Sequence, residues 1–290
     1  MKLLGYVFTK NDEKVIGKCL ERLSESCDGI IVVEDGSTDG TYDIVRSFPK
    51  VIKIFRNPPY EEWKTFRDLK KILKVVTDIN PEWIIGVDSD DVLDKRFAEQ
   101  RDKLLDNKEV GRYHFREITL WGDNKRYRVD KPEWYGRTRD RTPFLIRWGP
   151  NVKYFERHFL FPMNFIRWLR KRGFVGIIKR QLKYGTFSKK RNRLEKFLSE
   201  VFWPSDYMDY TNVQFIGYEG KEVEIPLVRL HYHFADMSYA WKKHLTYALL
   251  SATIQHRTPG EIPNLVSWAS NKLEDENIKL EEVEPEWGAL

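Results

Sequence analysis

The segment Asp88–Asp91 (DSDD) follows directly on the apolar run Trp83–Val87. Carboxylates two residues apart at the end of a strand can point into a common space once the chain turns. Divalent cations such as Mn²⁺ and Mg²⁺ take a few carboxylate oxygens and keep other coordination positions for water and phosphate. The segment therefore predicts either a metal site able to bridge a diphosphate or a solvated acidic turn at a helix N-terminus, where the helix dipole favours aspartate.

A second acidic turn, Glu34–Thr41 (EDGSTDGT), follows the apolar run Gly29–Val33. Glycine permits a tight turn here, which exposes Asp35 at the end of the preceding strand. A carboxylate in that position can accept hydrogen bonds from a ribose hydroxyl or from a base N–H. Asp39 directly precedes the next helical segment and is predicted to cap it. We therefore predict a ligand-binding role for Asp35 and a structural role for Asp39.

Two histidines and one arginine add to these turns. In the segment Arg229–Phe234 (RLHYHF), strand alternation puts His231 and His233 on one face. Imidazoles two residues apart can share a metal ion or lie along a phosphate, although a histidine in a strand is also often a packed core residue. Arg67 lies on a helical segment and can reach a base or a diphosphate with its forked donors, or it is a surface arginine. Spacing leaves both interpretations open in each case.

Strand and helix signals alternate along residues 1–90, which is the pattern of a parallel sheet with crossover helices. Continuous apolar runs predict strands buried on both faces, and apolar residues at helical spacing predict the connecting helices. Two strands deliver acidic residues at their carboxyl ends, where open α/β sheets bind ligands, so the two turns are predicted to form one site. The predicted strands are Leu3–Phe8, Gly29–Val33, Val51–Phe55 and Trp83–Val87, and the predicted helices cover 15–23, 41–48 and 63–76.

The pattern weakens after residue 91. Apolar alternation predicts strands at Arg112–Trp121, Pro143–Trp148 and Val223–Phe234. Phe165–Phe197 has the pattern of an amphipathic helix broken near its glycines, and Tyr239–His256 has a helical period. The chain is therefore predicted to be an α/β protein with a C-terminal helical region.

The chain has 290 residues and a formal net charge of +6. This length suits one large α/β domain, or one domain with a helical appendage. No run approaches the about 20 apolar residues of a membrane span, and the first apolar run is too short for a signal peptide. Cys19 and Cys27 have no CxxC spacing, so neither a disulfide framework nor a structural zinc site is predicted. We expect a cytoplasmic protein.

Charge is distributed unevenly. Arg167–Lys196 mixes Lys and Arg with large apolar residues, a composition typical of an interfacial helix on an anionic membrane leaflet. The alternatives are a cationic surface helix or a clamp for a phosphorylated acceptor. Nucleic acid is the less favoured partner, because no recognised nucleic-acid motif accompanies the charge. The last residues, 274–290, are acidic and are predicted to form a loosely held tail.

The order of these motifs (TKND, VVEDGSTDGT, an arginine-bearing helix, WIIGVDSDD and LHYH) resembles that of family 2 glycosyltransferases. The resemblance is strong over residues 1–95 and weaker to about residue 250. It implies the GT-A fold, a Rossmann-like, mostly parallel sheet flanked by helices. Trp121–Arg147 also resembles the acceptor-side segment of the subgroup that builds lipopolysaccharide cores and similar glycans.

The resemblance implies an inverting transfer of sugar from a UDP- or GDP-sugar donor to a glycan or lipid-linked acceptor, with Mn²⁺ or Mg²⁺ as cofactor. Residues 1–100 would form the nucleotide-sugar half of the domain, and residues 101–260 the acceptor half, with the basic segment 165–197 as a contact to the inner face of the membrane. The predicted nucleotide-sugar-binding residues are Thr9, Asp35, Arg67, Asp88 and Ser89. The predicted metal ligands are Asp90 and His231, with His233 added from the strand spacing.

The sequence departs from the subgroup at one place. A glutamate commonly follows a histidine after the FLIR-like strand, but here His158 is followed by Phe159. An inverting enzyme needs a general base for the acceptor hydroxyl, and Glu156 or Asp206 is predicted to supply it. Two other functions stay open. A nucleotidyltransferase would want a glycine-rich phosphate loop in place of Thr9–Asp12, and a non-catalytic protein would use the basic segment to bind membranes or nucleic acid.

Overall fold

The computed structural model describes residues 1–59, 65–130, 135–137, 144–156, 213–254 and 278–289. The chain divides into two compact units. The larger unit comprises Met1–Lys64, Asp68–Asn151 and Tyr218–Leu290, and the smaller comprises Thr65–Arg67 and Val152–Gly217. The candidate site lies within the larger unit.

A parallel sheet forms the centre of the larger unit. Its first strands are β1 (Leu3–Thr9), β2 (Gly29–Glu34), β3 (Val51–Arg56) and β4 (Trp83–Asp88), in the spatial order β4-β1-β2-β3. Each residue of β1 and β2 is buried, as their apolar runs predict for strands covered on both faces. β3 is partly exposed because it is the edge strand.

Helices connect these strands in the predicted order. They are α1 (Ile16–Ser26), α2 (Thr41–Ser47), α3 (Thr65–Ile79) and α4 (Arg96–Leu105). α1 buries Ile16, Cys19, Leu20 and Leu23 in one core cluster with the sheet, and all four lie within the predicted helix 15–23. Gly86 on β4 allows close packing, because a Cβ there would lie 2.2 Å from the ring of Tyr6.

The second part of the chain extends the sheet. The added strands are β5 (Asp91–Leu93), β6 (Val110–Trp121), β7 (Arg126–Arg128), β8 (Tyr135–Arg137), β9 (Phe144–Arg147), β12 (Lys221–Phe234) and β13 (Leu280–Glu282). β9 lies antiparallel between β4 and β6, and β12 pairs in parallel with β6 and antiparallel with β5. Helix α5 (Met237–Ile254) follows β12. The result is a mostly parallel α/β sheet, as predicted.

The smaller unit contains a two-stranded antiparallel sheet of β10 (Lys153–Glu156) and β11 (Val213–Ile216). Asp206 and the predicted basic segment 165–197 lie outside the described residues. Glu156 ends β10, but its side chain is outside the described part.

The prediction of a loosely held acidic tail is wrong for residues 278–289. β13 pairs with β7, and a 3-10 turn at Pro285–Trp287 follows it. Trp287 is buried against Tyr127, with ring centroids 5.5 Å apart. Acidic residues here pair with partners elsewhere in the chain, such as Glu286 with Arg96. Composition does not reveal this, because a few apolar side chains and a strand edge hold the segment.

Among the helices that the structure describes, none combines the length and apolar character required to cross a membrane.

Candidate functional site

The carboxyl ends of β1, β2 and β4 lie at one edge of the sheet. In the strand register Thr9 is opposite Glu34, and Phe8 is opposite Asp88. Both acidic turns therefore leave the sheet at the same edge, as predicted. β5 continues from the turn Asp88–Asp91 and pairs with β12, where Asp91 is opposite His231. This pairing brings the late histidines to the first-half carboxylates.

Asp90, His231 and His233 form a cluster in which one ligand atom from each lies within 4.8 Å of the other two. Nδ1 of His233 lies 3.0 Å from Oδ2 of Asp90, and Nδ1 of His231 lies 3.8 Å from Oδ1 of Asp90. The two imidazole rings are nearly parallel, with centroids 5.6 Å apart. The structure thus brings together the three residues predicted as metal ligands.

This donor set fits a divalent cation. One carboxylate and two imidazoles leave coordination positions for phosphate oxygens and water. Imidazole nitrogens suit transition ions better than Mg²⁺, which prefers oxygen ligands, so the set favours Mn²⁺ of the two predicted ions.

Asp91 binds His231 through Nδ1, the ring nitrogen that also faces Asp90 at 3.8 Å. Its Oδ1 lies 2.9 Å from Nδ1 of His231, and its Oδ2 accepts a hydrogen bond of 2.7 Å from Arg229. Arg229 also pairs with Glu117 on β6. All three charged groups are buried, and such a network of fixed partners restricts the orientation of the imidazole.

Charge at the cluster is tightly balanced. Burial disfavours the charged form of Asp90, but Lys243 and then His231 outweigh it and hold the pKa of the carboxyl well below its ordinary value. Burial acts to lower the pKa of His231, but the charge of Asp90 and the hydrogen bond with Asp91 raise it to about 9. Burial lowers the pKa of His233 despite its contact with Asp90.

Asp12 is the centre of a hydrogen-bonded cluster beside Asp90, His231 and His233. Its backbone carbonyl accepts hydrogen bonds in the turn before α1. Its buried carboxylate accepts hydrogen bonds from several segments. The donors are Thr9 Oγ1 (3.0 Å), Lys10 N (3.0 Å), Tyr239 OH (2.6 Å), Lys243 Nζ (2.9 Å) and Ser89 Oγ. Thr9 and Ser89 were predicted to bind the nucleotide sugar, and in the structure both contact Asp12.

Lys243 joins this cluster to Asp90. Its Nζ lies 2.9 Å from Oδ1 of Asp12 and 3.1 Å from Oδ2 of Asp90. Tyr239 lies one helical turn earlier on α5, and its hydroxyl oxygen accepts a hydrogen bond of 2.9 Å from Lys243. A helix near the C-terminus therefore places a positive charge between two carboxylates of the first half.

The predicted nucleoside-binding residue, Asp35, is buried and has two close partners. Its Oδ2 lies 3.2 Å from Nζ of Lys10, and its Oδ1 accepts a hydrogen bond of 2.8 Å from the amide of Asn57. Asn57 also donates to Asp68 and accepts a hydrogen bond of 2.6 Å from Lys71.

The rest of the turn Glu34–Thr41 is structural, as predicted for Asp39. Its Oδ1 accepts hydrogen bonds from the backbone N–H and the hydroxyl of Thr41 at the start of α2. Glu34 is fully buried and binds Arg56 and the backbone N–H of Ser37. Gly36 has φ +68, and a Cβ there would lie 2.5 Å from the carbonyl oxygen of Pro58.

Two other predicted residues are placed less completely. Asp88 ends β4 at the site edge and accepts, through its carbonyl, a hydrogen bond from the thiol of Cys19. Arg67 lies in the first turn of α3, but its side chain is outside the described part.

The sequence reasoning missed Lys10, Asp12, Asn57, Tyr239 and Lys243. Asp12 lies four residues before α1, whose N-terminus no side chain among the described residues caps, and its carboxylate instead binds Thr9, Ser89 and Lys243. The i, i+4 spacing of Tyr239 and Lys243 indicates a shared helix face. Nothing in the sequence distinguishes Lys243 from the exposed Lys242 next to it.

Comparison with known proteins decides the family. The profile of glycosyl transferase family 2 matches residues 6–167, which is more than half of the 290 residues. The chain belongs to glycosyl transferase family 2. This family 2 membership confirms the resemblance inferred from the motifs, and with it the GT-A assignment of the sheet.

Relatives within family 2 match shorter segments. The lipopolysaccharide core biosynthesis glycosyltransferase LpsC of Rhizobium meliloti is 32% identical over 105 residues, which are 36% of this chain and 37% of LpsC. The glycosyltransferase SunS of the SPbeta prophage of Bacillus subtilis is 34% identical over 91 residues, 31% of this chain and 20% of SunS. The chain thus aligns with well under half the length of either relative.

Two solved structures are also similar. S. aureus TarS (residues 1–349) is 13% identical, with 96% of this chain and 74% of that chain covered at a TM-score of 0.41. Glucosyl-3-phosphoglycerate synthase of Mycobacterium tuberculosis, solved with Mn²⁺, UDP and phosphoglyceric acid, is 15% identical over 41% of this chain and 43% of that chain, at a TM-score of 0.30.

Proposed function

We propose that this protein is an inverting, divalent-metal-dependent glycosyltransferase that uses a nucleoside diphosphate sugar. The observation that carries the proposal is the cluster of Asp90, His231 and His233 at the carboxyl edge of the sheet in a family 2 chain. Lys10 connects the neighbouring Asp12 to the nucleoside side, because its backbone N–H binds Asp12 and its ammonium binds Asp35. Lys243 in turn contacts both Asp12 and Asp90. One edge of the sheet would therefore hold both the residue that binds the base and the site that binds the diphosphate.

Each part of the site has a separate task. Asp35, held by Lys10 and Asn57, accepts hydrogen bonds from the base or ribose of the donor. Asp90, His231 and His233 would hold the metal ion. When bound, such an ion offsets the negative charge that develops on the departing nucleoside diphosphate. Asp91 keeps His231 in the orientation that this requires.

The acceptor side of the proposal rests on the sequence. Inversion needs a carboxylate that removes the proton of the acceptor hydroxyl, and Glu156 and Asp206 are the proposed candidates. A glycan or lipid-linked acceptor fits the similarity to LpsC, whose name refers to lipopolysaccharide core biosynthesis.

A cytoplasmic location with contact to the membrane through 165–197 is also part of the proposal. Flotation of the protein with anionic vesicles tests that contact, and a protein that stays in the bottom fraction contradicts it.

The decisive experiment compares D90N with wild type. We expect Mn²⁺ binding and donor turnover to fall by at least about 100-fold, because the site loses its anionic ligand. Turnover is measured as release of UDP or GDP from the corresponding sugars, and Mn²⁺ binding by electron paramagnetic resonance. D106N is the matched control, since Asp106 lies on the surface with 64% of its side chain exposed. Full activity in folded D90N would rule out the proposed mechanism.

A further inference from the structure

Lys243 occupies a position that neither the motifs nor the family match assigns. It lies on α5, whereas both of its carboxylate partners lie in the first 90 residues. Its side chain is 11% exposed, and those of Asp12 and Asp90 are 2% and 6% exposed. Burial of this kind makes an ion pair sensitive to the loss of either partner, because a buried charge left unpaired is costly.

The oxygen that contacts Lys243 belongs to the candidate metal site. Oδ2 of Asp90 lies 3.1 Å from Nζ of Lys243 and 3.0 Å from Nδ1 of His233. A metal ion bound between Asp90 and the two histidines would share this carboxylate with the ammonium. Two cations on one buried carboxylate repel each other strongly, because the surroundings screen charge much less than water does.

We propose that Lys243 is a tethered cation that competes with the divalent metal for Asp90. In the metal-free protein its ammonium neutralises Asp90 and keeps the carboxylates of Asp12 and Asp90 close together. Metal binding then requires the Lys243–Asp90 pair to separate. The contacts of Lys243 with Asp12 and Tyr239 do not involve Asp90, so the lysine keeps partners after it separates.

This inference rests on the proposed metal-dependent function and adds a property to it. Lys243 lowers the affinity of the site for metal, so that the affinity is set by a helix near the C-terminus as well as by the three ligands. The same lysine holds the metal-free site together. A variant that lacks the ammonium should therefore bind metal more tightly but be less stable without metal. Both changes can be measured without donor or acceptor.

The test measures Mn²⁺ binding by electron paramagnetic resonance to the full chain, without nucleotide, for wild type, K243M and K243Q. We expect both variants to bind Mn²⁺ about tenfold more tightly than wild type, because the competing charge is gone. Metal-free K243M should also melt at a lower temperature than wild type and gain more from saturating Mn²⁺. K243Q keeps a hydrogen-bond donor for Asp12 and provides the comparison if K243M fails to fold. K242M is the matched control, since Lys242 is its exposed neighbour on the same helix.

The outcomes separate this inference from the proposed function. If wild type binds Mn²⁺ in a manner that needs Asp90, and the Lys243 variants bind it equally or more weakly, the competition is refuted while the proposed function stands. The same refutation follows if K242M tightens binding as much as K243M. If wild type and the Lys243 variants all fail to bind Mn²⁺, both the competition and the metal dependence are wrong.

Discussion

At the scale of single residues, the carboxylate of Asp35 is fixed before any ligand arrives. Lys10 and Asn57 bind its two oxygens, and Asn57 is itself held by Asp68 and Lys71. Three hydrogen bonds of the Asn57 side chain are to charged groups, namely Asp35, Asp68 and Lys71. A binding group that is already oriented loses less entropy when the ligand binds.

We predict that N57A weakens binding of the cognate nucleoside diphosphate by about tenfold, the equivalent of one typical hydrogen bond of about 1.4 kcal/mol. Asp35 keeps its charge in this variant but loses the donor that orients it. Isothermal titration calorimetry with UDP and GDP measures the effect. N124A, an exposed asparagine in the turn after β6, is the control. Unchanged affinity in N57A would show that Asp35 needs no such support, or that it does not bind the nucleoside.

The residues that sequence reasoning found share one property. Asp35 and Asp90 follow strands that are evident from apolar runs, and His231 and His233 lie within a predicted strand, so strand geometry fixes their position and face. Asn57 and Lys243 have no such frame. Asn57 follows an edge strand, and a lysine pair on a helix gives no sign of which member faces the sheet. Tertiary packing decides these positions.

At the scale of elements, α5 carries Tyr239 and Lys243 to the site, and Asp236 fixes its first turn. Oδ1 of Asp236 accepts hydrogen bonds from the backbone N–H groups of Ser238 and Tyr239. Its Oδ2 lies 2.6 Å from Nζ of Lys14. The aspartate therefore caps the helix and connects it to the loop before α1, which also supplies Asp12.

We predict that D236A destabilises the protein by about 1 kcal/mol at pH 7, the typical cost of a lost N-cap. Hydrogen bonds from Lys14 and Ser238 hold the pKa of Asp236 below its ordinary value. A lowered folded-state pKa stabilises the protein above the unfolded pKa of about 3.9, and this contribution is lost as pH falls through the folded value. The difference from wild type should therefore shrink below about pH 4.

Urea denaturation at several pH values checks this prediction. D236N is the matched control, because asparagine is also a good N-cap residue and should retain most of the stability at pH 7. A loss in D236N as large as that in D236A would mean that the ion pair with Lys14, rather than the cap, holds the helix.

The inner strands and the acidic segment 278–289 differ in how well the sequence predicted them. The inner strands were predicted within one or two residues, since strands buried on both faces have continuous apolar runs. The acidic end of the chain was expected to be loose but pairs with β7 through β13. Backbone pairing at a sheet edge requires little of the side chains, so a charged segment can add a strand that is anchored by the buried Trp287 and by partly buried apolar residues such as Leu280 and Val283.

At the scale of the whole molecule, the site consists of residues from both ends of the sequence. The carboxylates come from the first strands, whereas the histidines and Lys243 come from β12 and α5. The functional division predicted near residue 100 does not coincide with a boundary between the compact units, and it stays a prediction about binding. Metal and nucleotide should therefore stabilise the larger unit as one body.

We predict that the cognate nucleoside diphosphate and Mn²⁺ together raise the melting temperature by more than the sum of their separate effects. A ligand at 100 times its dissociation constant stabilises the native state by about 2.7 kcal/mol. Linkage requires each ligand to strengthen the binding of the other if the metal bridges the diphosphate. A thermal-shift series with UDP and GDP, each with and without Mn²⁺, measures this. D90N is the control, since its metal effect should disappear.

Strictly additive shifts would contradict a bridging metal. A response to one base alone would identify the donor nucleotide, which the spacing of motifs does not reveal because base selection depends on the shape of the loops around Asp35.

The contact between Asp12 and Lys243 spans 231 positions of the chain. During synthesis on the ribosome, Asp12 emerges long before the lysine that neutralises it. The first strands can form on the nascent chain, where Thr9, Lys10 and Ser89 already provide hydrogen bonds to Asp12. The ammonium that contacts both Asp12 and Asp90 is added only when α5 has left the exit tunnel. Completion of the candidate site is therefore delayed until α5 has been synthesised.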